Sequence, residues 1–476
     1  MKTNYKILLT GLISLLSACQ KDFLEVTPKG RLVAEKVADY DLLLNNLSLI
    51  SISANAQVAM GDEVAAIQPY FNGSRVKTQR LFRWDDITYE PSENALELVT
   101  PIENIYVYNK IINELPDATD GSDQQKLSLA AEARAGRAWT YFFLINLFGK
   151  PYNASTSARD LGFPILQNAD VTANNFTRAS VKEVYEFIIK DLTQAIPHLP
   201  ATPSHRVRMS KVAAEGLLGK VYLFMGNPDE ALAHLNDALT GLSNSAIPIG
   251  LYDYNLTLGP GGEFLPIGTS GPSYPFVPNI RESLYAKQAY NLWTYSANEL
   301  VLDKKSVDLF APSDLRLKFY SSSAYYGPAY PAGFLRKVGP SNTQMGVLVP
   351  DLYLLRAEAK ARTNDLTGAK EDVETLRKHR MPVAQAAIPN TVSSQQKALI
   401  EFIFEERTRE FALSGFRWFD MRRLSVDPLF QDQTYSHTLY SETGSTISTY
   451  KLRPECLVLR FPQKVMDENP SMQNND

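Results

Sequence analysis

The densest run of ionisable side chains lies at 401–423, where Glu406, Arg407, Glu410, Arg417, Asp420 and Arg423 crowd together. Glu406 and Glu410 are four positions apart and share one face of a helix, a placement that paired carboxylates could use for acid/base work. The arginines offer a competing use for the same carboxylates. Each guanidinium presents a rigid fork of donors, suited to fastening a helix onto the segment that follows it. The structural use is the expectation, because the chain carries no HExxH, no CxxC pair, no GxSxG and no phosphate-binding glycine loop ending in Lys-Ser or Lys-Thr. His198, His205, His234, His379 and His437 are scattered without ligand spacing, and Asp117, Asp120 and Asp123 are wrongly spaced for a calcium loop. No enzyme activity, metal or cofactor is expected.

A different chemistry suits the aromatic side chains. Residues 270–334 hold Phe, Trp or Tyr at 13 of 65 positions (20%), against 11% for the whole chain. Tyr285, Tyr290, Trp293, Tyr295, Tyr325, Tyr326 and Tyr330 lie among them. Sugar rings have apolar C–H faces and polar edges, so a carbohydrate site wants aromatic platforms beside amides and charged groups. Trp293 and Tyr295 alternate onto one face of a short strand with Asn291, and Tyr325-Tyr326-Gly327-Pro328 reads as an exposed turn. A second patch is Arg83-Trp84-Asp85-Asp86 with Tyr89 and Asn94, ahead of a helix predicted from Ile102 to Leu115. Trp84, Tyr89, Asn94, Trp293, Tyr295 and Tyr325 are the candidate ligand-binding residues.

These side chains need a frame, and the spacing of small and large apolar residues supplies one. In 126–148, Ala131, Ala135, Ala138, Phe142 and Ile145 recur at helical spacing, with Gly149 as a left-handed C-cap and Pro151 beyond it. Segments 210–225 and 228–241 read as an antiparallel pair, with Gly226 as C-cap, Asn227 as N-cap and Pro228 as first helical residue. Gly219, Tyr222, Ala231, Leu235 and Ala238 match tetratricopeptide spacing. A looser copy runs through Ala357, Ala361, Ala369, Val373 and Leu376, and a helix over 397–414 is closed by Gly415. Each pair needs a neighbour to bury its face, so the predicted fold is mainly α, a tetratricopeptide-like helical-repeat scaffold. Helical halves at 32–245 and 346–476 flank an irregular insertion at 246–345, rich in Gly, Pro, Ser and Tyr and built of short strands and turns. A shorter irregular piece is expected at 80–101. The tail, 448–476, is predicted to hold one or two strands and an Asn-rich end that frays.

The N-terminus sets the compartment. Lys2 and Lys6 precede an apolar run from Ile7 to Leu16, too short for a permanent span, and the stretch ends Leu16-Ser17-Ala18-Cys19. This ending resembles a bacterial lipobox, implying cleavage of residues 1–18 and lipidation of Cys19 on its sulfur and its new amino group, with palmitate-like acyl chains as the anchor. Removal of two lysines and no acids takes the net charge from −4 to −6, leaving no electrostatic footprint for nucleic acid. Cys456 is then the one free thiol, without a disulfide partner, in an apolar run.

Taken together, several segments resemble the SusD/RagB family of Bacteroidetes outer-membrane lipoproteins. The block Glu405-Glu406-Arg407, Glu410 and Gly415-Phe416-Arg417-Trp418-Phe419-Asp420-Met421-Arg422-Arg423 is similar to the family's C-terminal signature. Phe23-Leu24-Glu25 with Pro28, Glu132-Ala133-Arg134-Ala135 running into Tyr141–Gly149, Leu354-Leu355-Arg356-Ala357-Glu358-Ala359, and Phe461-Pro462 followed by Asn469-Pro470 and Gln473-Asn474 are similar to other hallmarks, in order from residue 19 to 474. One departure is Gly136, where the family usually has a larger apolar residue. The resemblance implies a single unit over 19–476 with a tetratricopeptide-like fold. It implies a cell-surface protein that binds an oligosaccharide, or alternatively a peptide or other nutrient, at loops before the Ile102 helix and in the insertion. It also implies a partner, a SusC-like TonB-dependent barrel in the outer membrane.

Overall fold

A computed structural model describes residues 34–53 and 55–475. The signal segment 1–18, Cys19 and the lead that follows it lie outside the described residues. Helices α1 (Val37–Leu44), α2 (Ala56–Met60), α3 (Val76–Arg83), α4 (Leu96–Glu114), α5 (Asp123–Phe148), α6 (Val181–Ala195), α7 (Lys211–Phe224) and α8 (Pro228–Gly241) fill the first half. Helices α9 (Val349–Arg362), α10 (Leu366–Lys378), α11 (Gln396–Phe411) and α12 (Phe416–Leu424) follow the insertion. The pairs α5–α6, α7–α8 and α9–α10 pack in succession, and α8 lies against α9, giving a tetratricopeptide-like repeat scaffold.

Local chemistry explains the boundaries. α5 begins three residues before the predicted start, because Ser122 and Gln125 form a capping box. It is also more central than a one-face stripe implies, with every residue from 135 to 148 buried. Gly136 is required by packing: a Cβ there would lie 2.6 Å from the Tyr108 ring of α4. In the α7–α8 pair a Cβ on Gly219 would lie 2.7 Å from Leu235 Cγ, which is why the repeat spacing places a small residue there. Gly226 is left-handed as predicted (φ +79°). Gly149 is not; its backbone is extended (φ −94°, ψ 158°) and it stops the helix under the Ile145 side chain.

Other boundaries differ from expectation. α11 ends at Phe411 and not at residue 414, and Gly415, left-handed at φ +85°, caps the start of α12. The irregular piece shrinks to 84–95, since α3 ends at Arg83 and α4 begins at Leu96 with Pro101 inside it. Cys456 is buried in a 3₁₀ turn, Pro454–Leu457, and not in a strand. The predicted frayed end is pinned: Asn475 is buried and its amide donates to Phe148 O (2.9 Å) and Leu459 O (2.6 Å).

Short strands, six of them (β2–β7) in the insertion, tie distant segments together: β1 (Val64–Ile67), β2 (Ser283–Tyr285), β3 (Gln288–Tyr290), β4 (Leu300–Leu302), β5 (Tyr320–Ser321), β6 (Arg336–Lys337), β7 (Asn342–Gln344), β8 (Val347–Leu348), β9 (Ser436–Tyr440) and β10 (Thr446–Lys451). One sheet has the order β10-β9-β1-β4, with Val64 opposite Leu302 antiparallel and Ala66 beside Leu439 parallel. It joins the first half, the insertion and the C-terminal hairpin.

The charged block is a buried lattice, and its partners come mostly from elements other than the segment that follows. Arg407 bridges Asp420 of α12 (2.8 Å) and Asp351 of α9 (2.7 Å). Arg423 grips Glu358 of α9 through two bonds of 2.6 Å. Burial pushes the Glu358 carboxyl up, but Arg423 and Arg362 outweigh it and hold it down at about 2. Glu406 meets Arg316, Arg377 and Arg409, each at 2.8 Å. Each of these carboxylates is engaged by at least one arginine, so the block specifies packing.

Candidate functional site: a tyrosine platform on the insertion

Two turns of the insertion meet at Tyr295 and Tyr325. The first leaves β3 through Asn291, whose amide donates to Leu413 O (2.7 Å) and Thr343 Oγ1 (3.2 Å) while its Oδ1 accepts from Trp293 N (3.0 Å). The predicted strand over 291–295 is therefore a loop, and Trp293 points into the core, 2% exposed. Two residues on, Tyr295 takes a left-handed backbone (φ +58°) and its ring turns outward, half-buried.

The second turn is the tip of the β5–β6 hairpin, closed by Ala324 N to Pro328 O (2.9 Å) and Gly327 N to Ala324 O (3.1 Å). Tyr326 at its apex is also left-handed (φ +51°) and is 91% exposed. A left-handed backbone at a tyrosine costs about 1–2 kcal/mol, so the fold holds two strained residues at this one place.

The rings form a graded cluster. The Tyr295 and Tyr325 centroids are 5.1 Å apart with their hydroxyls 3.2 Å apart, and Tyr325 meets Tyr326 edge-on at 4.4 Å. The hydrogen bond with Tyr295 is the chief reason the Tyr325 phenol is harder to ionise than usual. Asn298 clasps Tyr325 from below, accepting its N–H (2.7 Å) and donating to its carbonyl (3.3 Å), and its Oδ1 also accepts from the Tyr330 hydroxyl (3.2 Å). Arg336 donates to Tyr295 O and to Ser323 O (3.2 Å), with its guanidinium 5.9 Å from the Tyr325 ring centre. Tyr70, after β1, packs edge-on against Tyr330 at 6.2 Å. The result is a set of apolar ring faces edged by hydroxyls and an amide, the surface that a sugar or another amphipathic ring can stack on.

The other sequence candidates lie elsewhere. Trp84 is 4% exposed; it caps α3 in a left-handed turn, donates its indole N–H to Met60 O (3.0 Å) and stacks 3.8 Å over His437. Tyr89 is buried, its hydroxyl on Glu97 (3.2 Å) and Lys77 4.7 Å from its ring centre; burial and the Glu97 charge raise its pKa. Asn94 is exposed and accepts from Lys464 (2.9 Å). Trp84, Tyr89 and Trp293 are thus core rings with no face open to a ligand. Among the described residues, no hydrogen bond or ring contact joins Trp84, Tyr89 or Asn94 to Tyr295 and Tyr325. Of the six candidates, Tyr295 and Tyr325 are brought together. Sequence reasoning passed over Tyr326, although its turn was recognised, and missed Asn298, Arg336 and Tyr70, which no local motif marks.

Among the described residues no helix is long and apolar enough to cross a membrane, and no group of three or more His, Cys, Asp or Glu side chains is placed to hold a metal.

Comparison with known proteins places these features. Residues 22–223 match a family model described as starch-binding associating with outer membrane, and residues 349–476 match the SusD family model. A SusD-like protein of Formosa agariphila is 25% identical over 350 residues, covering 64% of this chain and 66% of its own. A SusD-like protein of Bacteroides ovatus is 31% identical over 119 residues, covering 24% of this chain and 19% of its own. The chain thus spans less than two thirds of either relative. Among solved structures, a SusD superfamily protein from Bacteroides thetaiotaomicron superposes with a TM-score of 0.70 at 19% identity, covering 93% of this chain and all of that one (100%). A SusD-like carbohydrate binding protein from Bacteroides vulgatus gives 0.68 at 16% identity, over 92% and 98% of the two chains. At these identities the likeness is one of fold.

Proposed function

The chain belongs to the SusD/RagB family, and from that premise we propose that it binds an oligosaccharide on the Tyr295–Tyr325–Tyr326 platform at the outer-membrane surface. Residues 19–476 act as one unit, tethered through lipid on Cys19, and hand the bound glycan to a SusC-like TonB-dependent barrel. The observation that carries the ligand assignment is Tyr326: a ring 91% exposed at the apex of a strained turn, seated beside two further tyrosines. Exposing a large ring costs hydrophobic burial, and holding it there by a left-handed backbone costs more, which fits a surface kept open for a partner. No chemistry at this platform calls for a general acid, nucleophile or metal; Arg336, whose guanidinium lies 5.9 Å from the Tyr325 ring centre, is committed to backbone carbonyls. The role is capture, not turnover.

Isothermal titration of the purified protein with maltohexaose, xylohexaose, cellohexaose, hexagalacturonate and a mixed-sequence hexapeptide pool tests the reading. Saturable binding of at least one oligosaccharide, weakened about tenfold but still measurable in Tyr325→Ala, is the expected result. Binding of the peptide pool alone would move the ligand class to peptides, and binding of an oligosaccharide unaffected by Tyr325→Ala would remove the platform.

A further inference from the structure

Both turns of the platform are fastened to the same short connection. Ala412, Leu413 and Ser414 join α11 to α12, with Leu413 left-handed at φ +53°. Asn291, at the root of the Tyr295 turn, donates to Leu413 O at 2.7 Å. Lys337, at the root of the hairpin that carries Tyr325, donates to Ala412 O (2.7 Å) and Ser414 Oγ (2.6 Å). Tyr320, on the partner strand of that hairpin, adds a bond to Ala412 O (3.2 Å). Successive side chains of a strand point to opposite faces, so Lys337 faces the connection while Arg336 faces the platform and bonds Tyr295 O.

We propose that Ala412–Ser414 is the common anchor of the ligand platform, and that Asn291 and Lys337 are positioning residues that set the separation of Tyr295 and Tyr325. This rests on the platform being the binding site. Lys337 is the informative member. Its ammonium is buried and, among the described residues, hydrogen-bonded to no carboxylate, and burial draws its pKa down to about 8, with Glu63 and Glu410 near enough to oppose the shift. Arg316, Arg409, Glu282 and Glu410 line the same cavity of about 110 Å³ that reaches its side chain. An aliphatic side chain would fill the space without the cost of burying a charge; what the amine adds is direction, two short bonds to fixed acceptors. Because Tyr295 sits in a strained backbone, loss of either root bond lets its turn relax and the ring separation change. Ligand choice follows, since stacking on two rings depends on their spacing.

The test uses the purified protein with 3-fluorotyrosine at position 325 alone, read by ¹⁹F NMR without ligand, and then a binding cycle. Lys337→Met and Asn291→Ala should each shift or broaden the fluorine resonance while the protein stays folded. With whichever of maltohexaose, xylohexaose, cellohexaose and hexagalacturonate the wild type binds most tightly, Lys337→Met should weaken binding about tenfold, and less than twofold on a Tyr325→Ala background. A loss of global packing would not produce that non-additivity. Ser414→Ala removes one acceptor of the ammonium and gives the same reading should Lys337→Met not fold. An unchanged fluorine resonance in the variants, or equal losses on both backgrounds, overturns the anchor. A Tyr325→Ala protein with wild-type affinity would instead defeat the platform reading, and the fluorine resonance would still decide the anchor.

Discussion

Glu63 should give the protein a pH-dependent stability that a single atom exchange removes. Glu63 is 1% exposed, at the entrance to β1, and neither carboxylate oxygen has a hydrogen-bond partner among the described residues. Next to it Asp62 is kept ionised by Arg417, against the pull of burial. Burial first, and the Asp62 charge second, push Glu63 from 4.5 up to about 8. The folded protein therefore holds a proton on Glu63 between those values that the unfolded chain releases. Stability from this group is fully present below pH 4.5 and is lost as pH rises to 8. A shift of 3.5 pH units at 1.36 kcal/mol each gives a loss on the order of 5 kcal/mol over the whole window, an upper bound because local relaxation shares the cost. Glu63→Gln keeps the shape and cannot ionise. Urea unfolding of both proteins at pH 5, 6, 7 and 8 should show near-equal midpoints at pH 5 and a variant more stable by a few kcal/mol at pH 8. The comparison must be variant against wild type, since burial also raises Glu132, Glu282 and Asp303. A difference that stays constant from pH 5 to 8 would refute the buried, proton-holding Glu63.

Lys287 works in the opposite sense: its buried amine donates to Leu49 O and to Tyr108 Oη (2.8 Å), and burial lowers its pKa to about 7. The unfolded chain binds the extra proton between pH 7 and 10.5, so wild-type stability should gain from this residue as pH rises through that window, and Lys287→Met should flatten the rise in urea titrations. Gly136→Ala should destabilise by about 1–3 kcal/mol despite alanine's better helix propensity, because the new Cβ would meet the Tyr108 ring at 2.6 Å; a thermal midpoint at or above wild type contradicts this. Glu406→Gln leaves Arg316, Arg377 and Arg409 without their shared carboxylate and should cost about 3–5 kcal/mol in a urea titration at pH 7, whereas a loss under 1 kcal/mol would mean that the lattice is not held by that charge.

The helical frame was legible because it is written locally. Small residues at helical spacing, Gly226 at a left-handed cap and Pro228 at a helix start depend on neighbours a few positions away, and the structure reproduces them. The use of the arginine-rich block was legible too, although its partners Asp351, Glu358 and Asp62 were not, since they arrive from elements far along the chain. The binding residues were half legible for the same reason. Composition marks 270–334 as aromatic but says nothing about which face of a ring is covered: Trp84 is closed off by His437, and Trp293 is turned inward by the Asn291 bond to Leu413. Gly136 read as a departure from the family pattern and is a point of close approach. The Asn-rich end read as loose and is a clamp, because its amides find the carbonyls that end α5 and precede Phe461.

The central claim is that the exposed tyrosines are the ligand surface, and paired titrations of Tyr326→Ala and Tyr290→Ala test it most directly. Both rings are exposed, 91% and 59%, so both variants lose a surface aromatic and little packing, but among the described residues Tyr290 has no ring contact with the platform. An aromatic ring contact contributes about 0.5–1.5 kcal/mol beyond the area it buries. With the tightest-binding hexasaccharide, Tyr326→Ala should raise Kd about tenfold or more while Tyr290→Ala leaves it within twofold. Equal affinities for the two variants, or a loss confined to Tyr290→Ala, would contradict the account.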